Sequence, residues 1–111
     1  MTVSTHVLDT MRGAPAAGMT VVLSRREADG GWTGIGRAET DADGRVRGLA
    51  SEDLEPGEYR IEFQTRAYFD RSGLRAFYPE VSVVFSLEAA GEHLHIPLLL
   101  SQFGYTTYKG T

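Results

Sequence analysis

Three runs in this chain alternate inward and outward side chains with a period of two. Tyr59, Ile61 and Phe63 alternate with Arg60, Glu62 and Gln64. Val81, Val83, Phe85 and Leu87 repeat the pattern, and Leu94, Ile96, Leu98 and Leu100 face one way while His93, His95, Pro97 and Leu99 face the other. That period belongs to a strand with one buried face, since a helix brings the same face round only every 3.6 residues. Turn residues separate the runs: Pro56-Gly57, Tyr78-Pro79 and Ala89-Ala90-Gly91-Glu92. Glycine supplies 13 of the 111 residues, well above the usual share of roughly 7%. The glycines follow no three-residue period, which excludes collagen, and they lie between β-rich runs as turn glycines do.

The first half follows the same plan. Thr2 to Leu8 opens with β-branched residues and predicts a strand that stops at Asp9, with Arg12-Gly13-Ala14-Pro15 as a turn. Met19 to Ser24 predicts a second strand, and Val21-Val22-Leu23, apolar on both faces, predicts its burial. Ala28-Asp29-Gly30-Gly31 reads as a hairpin turn into Trp32–Ala38, and Thr40-Asp41-Ala42-Asp43-Gly44 as a turn into Arg45-Val46-Arg47. One helix is expected, Arg66 to Ser72, capped by Thr65 and closed by a left-handed Gly73. Seven or eight short strands and a single helix predict an all-β sandwich. No repeat, linker or low-complexity tract divides the chain, so residues 1–111 are expected to form one domain.

Composition removes several functional classes. There is no cysteine, hence no disulfide scaffold, thiolate zinc site or cysteine nucleophile. Eleven Lys and Arg face 15 Asp and Glu, for a net charge of −4. The basic residues are scattered, which argues against a nucleic-acid partner. No apolar run approaches the roughly 18 residues that span a bilayer. Met1 to His6 shows neither a basic nor an apolar leader region, so the expectation is a cytoplasmic protein with no membrane partner.

The motif inventory is also short. GxSxG, HExxH, the P-loop and GxGxxG are missing. Gly34-Ile35-Gly36 has no third glycine and sits in a hairpin. Asp41-Ala42-Asp43-Gly44 resembles the start of a calcium loop, but its glycine is fourth rather than sixth, with Glu52 at the twelfth position, so turn chemistry explains it better. Three histidines remain: His6, His93 and His95. The last two project from one face of a strand, opposite the leucine row. As residues alone they support either acid–base catalysis or, with His6 as a third ligand, zinc.

Read in order, four segments resemble the 5-hydroxyisourate hydrolases, the transthyretin-related enzymes. They are Ser4-Thr5-His6-Val7-Leu8-Asp9 with Gly13-Ala14-Pro15-Ala16; Asp43-Gly44-Arg45; Phe77-Tyr78-Pro79-Glu80-Val81; and His93-Leu94-His95-Ile96-Pro97-Leu98-Leu99-Leu100-Ser101 through Tyr105-Thr106-Thr107-Tyr108. The resemblance covers essentially the whole chain. It implies a transthyretin-like (prealbumin-like) sandwich of two four-stranded sheets with one short α-helix, assembled as a homotetramer whose active sites lie at the interface between pairs. It implies hydrolysis of 5-hydroxyisourate to 2-oxo-4-hydroxy-4-carboxy-5-ureidoimidazoline in urate degradation, by water attack on a ring carbonyl, with no metal or organic cofactor.

The site residues carried over are His6, Arg45, His95 and the ending Tyr108-Lys109-Gly110-Thr111, with His93 the weaker member of its pair. A histidine serves as base, and Arg45 and Lys109 hold the substrate anion. Tyr108 contributes to binding, and Thr111, by hydroxyl or carboxylate, orients water or a histidine. The family tail is usually Tyr-Arg-Gly-Ser, so Lys109 keeps the charge but loses the planar fork of arginine. Gln102 stands where a proline is common. The alternatives are a transthyretin-like small-ligand carrier, which lacks this histidine pair and tail, and a non-catalytic β-sandwich binding module.

Overall fold

The period-two runs become strands. The computed structural model describes residues 3–50 and 53–111; Thr2 of the expected first strand and Glu52 lie outside the described residues. In chain order the elements are β1 (Val3–Asp9), β2 (Ala14–Pro15), β3 (Thr20–Arg26), β4 (Trp32–Glu39), β5 (Arg45–Val46), β6 (Gly57–Phe63), α1 (Thr65–Asp70), β7 (Val81–Leu87), β8 (Leu94–Leu100) and β9 (Tyr105–Thr107). One sheet runs β4-β3-β6-β7 and the other β2-β1-β8-β9, with β5 also paired to β1. The two short strands share one edge of β1: β2 lies opposite Leu8 and Asp9, and β5 opposite Thr5 and His6. On the other edge β1 pairs with β8 in parallel, from Val3 opposite Leu94 to Asp9 opposite Leu100.

The core lies between the sheets. Val3 and Val7 of β1 and Leu94, Ile96, Leu98 and Leu100 of β8 are buried with Val21, Leu23, Tyr59, Ile61 and Phe63 of the facing sheet. Each such side chain contributes about 1.5–3 kcal/mol on leaving water. Thr5 points inward as well, and its hydroxyl donates to the Ile96 carbonyl at 2.6 Å, which removes the penalty of a bare buried hydroxyl. With odd positions of β1 and even positions of β8 committed to the core, Ser4, His6 and Leu8 and their neighbours His95, Pro97 and Leu99 occupy the outer face. At the end of β1 the buried Asp9 carboxylate accepts the amides of Met11 and Arg12 and the hydroxyl of Tyr68. This ties the first turn to α1.

Four local expectations are corrected. Val22 is half-buried, because it lies on the outer face of β3 while Val21 and Leu23 face the core. Ala14-Pro15 pairs with the end of β1 instead of remaining a turn. Thr65 is the first residue of α1 and not its cap: Gln64 precedes it, and the Thr65 hydroxyl is committed to the Tyr78 carbonyl at 2.5 Å. The helix ends at Asp70, two residues early, with Gly73 beyond it in the expected left-handed conformation (φ +70°). Among the described residues no helix is long and apolar enough to cross a membrane.

Candidate active site

His6 owes its position to the turn across from it. The Asp41 carboxylate accepts the amides of Asp43 (2.9 Å) and Arg45 (3.0 Å), an Asx turn that bends the chain onto β1. Those bonds, chiefly the one from Arg45, hold the Asp41 carboxyl below its ordinary range. Gly44 follows with φ +76°, and a β-carbon there would lie 2.4 Å from the Val7 carbonyl. The Asp-x-Asp-Gly sequence is therefore turn chemistry. The result sets Arg45 directly opposite His6 and aims the Asp43 carbonyl at Nε2 of His6, 2.9 Å away. A carbonyl only accepts, so Nε2 carries a proton and Nδ1 is left as the lone-pair nitrogen of neutral His6.

His95 is oriented in the opposite sense. It lies beside Ser4 in the parallel ladder, and its Nδ1 is 2.8 Å from the Ser4 hydroxyl. The same hydroxyl is 3.2 Å from Nε2 of His93. Nδ1 of His95 is thus occupied, and Nε2 is the nitrogen left for chemistry. Burial, and then electrostatic repulsion from Arg45, His6 and His93, push the His95 pKa below 6.5. Its ring is neutral and basic at pH 7. A groove of about 180 Å³ is lined by Ser4, Thr5, Arg45, Val46, Arg47 and His93.

The tail reaches this face through Gly110. Its amide donates to the His95 carbonyl at 2.8 Å, and a β-carbon at 110 would lie 2.6 Å from Cδ2 of the imidazole. Only glycine fits, and Thr111, exposed, is the next residue. Tyr108 and Lys109 line a different groove, of about 450 Å³, with Val83, Phe85, Leu94 and Ile96 at the open edge between the sheets. The Lys109 side chain is 75% exposed, and its ammonium lies 3.9 Å from the Glu92 carboxylate. The larger groove contains no imidazole and the smaller is lined by His93 alone of the three, while His6 and His95 lie on the outer sheet face beside it.

Within one chain, then, His6, Arg45 and His95 share one face with exposed His93 beside them. Tyr108 and Lys109 point to the sandwich edge. Among the described residues no three His, Asp or Glu side chains are arranged to hold a metal. His6 is turned to Asp43, and Ser4 stands between the other two rings. Three contributors have no role in the motif reading: Ser4, the Asp43 carbonyl and Arg47. Period two already puts Ser4 on the face of His6, which was the available signal; its pairing with His95 is set by a ladder between distant segments.

Fold and face together define a class: a transthyretin-like sandwich whose polar site lies on the outer surface of one sheet, not in the core between the two. The chain belongs to the HIUase/Transthyretin family, whose family model matches residues 3–110. It is 46% identical over 109 residues to the 5-hydroxyisourate hydrolase of Salmonella dublin, covering 97% of this chain and 79% of that protein. Among solved structures, Klebsiella pneumoniae 5-hydroxyisourate hydrolase superposes with a TM-score of 0.88 at 33% identity over all of both chains. Transthyretin from Sparus aurata superposes with a TM-score of 0.91 at 38% identity, over 97% of this chain and 95% of that one. Enzyme and transthyretin match the backbone about equally well, so function has to be read from the side chains.

Proposed function

We propose that this protein hydrolyses 5-hydroxyisourate to 2-oxo-4-hydroxy-4-carboxy-5-ureidoimidazoline, a step of urate degradation, and that His6, Arg45 and His95 carry the reaction. One observation supports this above the others: two imidazoles and a guanidinium share one face, and the rings leave opposite nitrogens available, Nδ1 on His6 and Nε2 on His95. The relatives named as hydrolases of this compound support the substrate.

The substrate is a planar anion with an electrophilic ring carbonyl. Water adds to the carbonyl carbon as Nε2 of His95, kept neutral by its surroundings, takes the water proton. The guanidinium of Arg45 binds the anion and stabilises the oxyanion of the tetrahedral state. Collapse breaks the ring C–N bond, the departing nitrogen takes the second proton of the attacking water, and the products are a carboxylate and a ureido group. Lys109 and Tyr108 bind the substrate from the tail, and the Thr111 hydroxyl or carboxylate orients the water. Since Tyr108 and Lys109 lie at the sandwich edge of their own chain, a homotetramer with sites between subunits is part of this reading, as is action in the cytoplasm.

The test is the ultraviolet decay of 5-hydroxyisourate freshly generated by urate oxidase, measured against its spontaneous rate. Acceleration proportional to the untagged protein, and lost in His95→Ala, is the expected result. A folded protein that leaves the spontaneous rate unchanged removes the hydrolase reading.

A further inference from the structure

We propose that Ser4 is a positioning residue that links His95 to His93 in a proton relay, so that the base hands its proton to an exposed ring. The proposal rests on the hydrolase reading for its kinetic part and on geometry alone for the rest. Ser4 is only 8% exposed, and its hydroxyl stands between two imidazole nitrogens, Nδ1 of His95 at 2.8 Å and Nε2 of His93 at 3.2 Å. A hydroxyl has one proton to give. With both rings neutral, it donates to one and accepts an N–H from the other.

Two arrangements satisfy that count. In the first, Nδ1–H of His95 donates to Ser4 and Ser4 donates to Nε2 of His93, which leaves Nε2 of His95 as a free base. In the second, Nε2–H of His93 donates to Ser4, Ser4 donates to Nδ1 of His95, and Nε2 of His95 carries the hydrogen. Catalysis needs the first. After Nε2 of His95 takes the water proton, its Nδ1 proton passes to Oγ of Ser4 as the Ser4 hydroxyl proton passes to Nε2 of His93. One N–H and one O–H bond break, one O–H and one N–H form, and no electrons change hands. His95 ends neutral, and the charge rests on His93, whose ring is exposed.

The charged and titratable groups around His95 favour that direction. Burial, then Arg45 on β5, His6 on β1 and His93 on the same face make a cation at the half-buried position costly, and Arg47 just past β5 lines the groove beside His93. The tail adds Lys109, paired with Glu92. Moving the charge to His93 takes it from a half-buried ring to an exposed one. A serine at 4 that only filled space would be equally served by alanine.

Ser4→Ala, Ser4→Thr and His93→Gln test this, with ¹⁵N spectra of the imidazoles recorded on substrate-free protein. In Ser4→Ala the His95 ring is expected to lose its single tautomer, kcat to fall about 10–100-fold, the scale known for metal-bound imidazoles that lose their outer partner, and KM to change little. Ser4→Thr keeps the hydroxyl and should restore the tautomer and most of kcat. The Ser4→Ala/His93→Gln double variant should be no slower than the slower single variant, because both cut one relay. An unchanged His95 tautomer and pH profile in Ser4→Ala, or losses that multiply in the double variant, would overturn the relay. Should Ser4→Ala not fold, the Ser4→Thr spectrum and the His93→Gln pH profile decide it: a Ser4→Thr ring with mixed tautomers, or a profile unmoved by His93→Gln, overturns the relay. If no variant and no wild-type protein accelerates 5-hydroxyisourate decay, the hydrolase reading fails, while the spectra still decide the Ser4 bridge.

Discussion

A lowered pKa at His95 has a sign that can be followed into both rate and stability. The folded state disfavours the imidazolium, first through burial and then through Arg45, His6 and His93. The ring therefore stays neutral below its ordinary 6.5, and the acid limb of kcat/KM should lie below that value. Arg45→Gln removes a nearby positive charge, so the limb of its residual activity should move to higher pH while the rate drops. Stability follows the same linkage. It is unaffected above pH 6.5, falls as pH drops through 6.5 toward the folded-state pKa, and levels off below that. His95→Ala should cost roughly 10²–10⁴-fold in kcat, the range for a lost acid–base group, and should flatten this part of the stability curve. Gly110 is the other single-atom constraint on the face. Gly110→Ala drives a methyl group into Cδ2 of His95 and its carbonyl, so the tail must swing away. The expected outcome is a protein with near-normal melting and strongly reduced turnover; unimpaired turnover would detach the tail from the site.

The short elements show why some of this architecture can be read along the chain and some cannot. β6, β7 and β8 announce themselves because each buries one face, and a period of two survives any register. β2 and β5 are two residues long and exist only as partners of β1, so no local pattern marks them. The Thr65 cap was plausible by residue type, yet the hydroxyl took the Tyr78 carbonyl thirteen residues on, a competitor that only tertiary packing brings near. The site divides in the same way. That His93 and His95 oppose the leucine row follows from the strand itself; that Arg45 faces His6 requires the 41–45 turn, and that Ser4 meets His95 requires a parallel ladder spanning the chain. The turn makes its own prediction. Gly44→Ala forces a left-handed non-glycine residue, about 1–3 kcal/mol, and presses its methyl against the Val7 carbonyl. Thermal denaturation should show a midpoint lower by roughly 5–15 °C, with activity lost beyond what stability explains, because Asp43 and Arg45 are displaced from His6.

At the scale of the molecule, one end of the sandwich carries exposed aromatic surface. Phe103, 70% exposed, and Phe77, 63% exposed, approach with ring centroids 6.4 Å apart. Tyr78 and Tyr105 continue the patch at 5.2 Å, and Met11 closes it from the first turn, its sulfur 3.2 Å from the Gln102 amide. Contiguous exposed apolar area of this kind marks an interaction surface. The patch begins at the β8–β9 connection, and β9 leads into Tyr108 and Lys109, so burying it against another subunit would also fix the strand that delivers the tail. This couples assembly to catalysis under the tetramer reading. Phe103→Glu places a charge in the patch, where nothing of the core is touched, and should leave the strand spectrum and monomer fold intact. Light scattering should report four chains for the unaltered protein and fewer for the variant, with kcat/KM falling in parallel as the dissociated form accumulates on dilution. A Phe103→Glu protein that is dissociated yet fully active would mean that one chain's His6, Arg45 and His95 suffice, and that the aromatic end serves assembly alone.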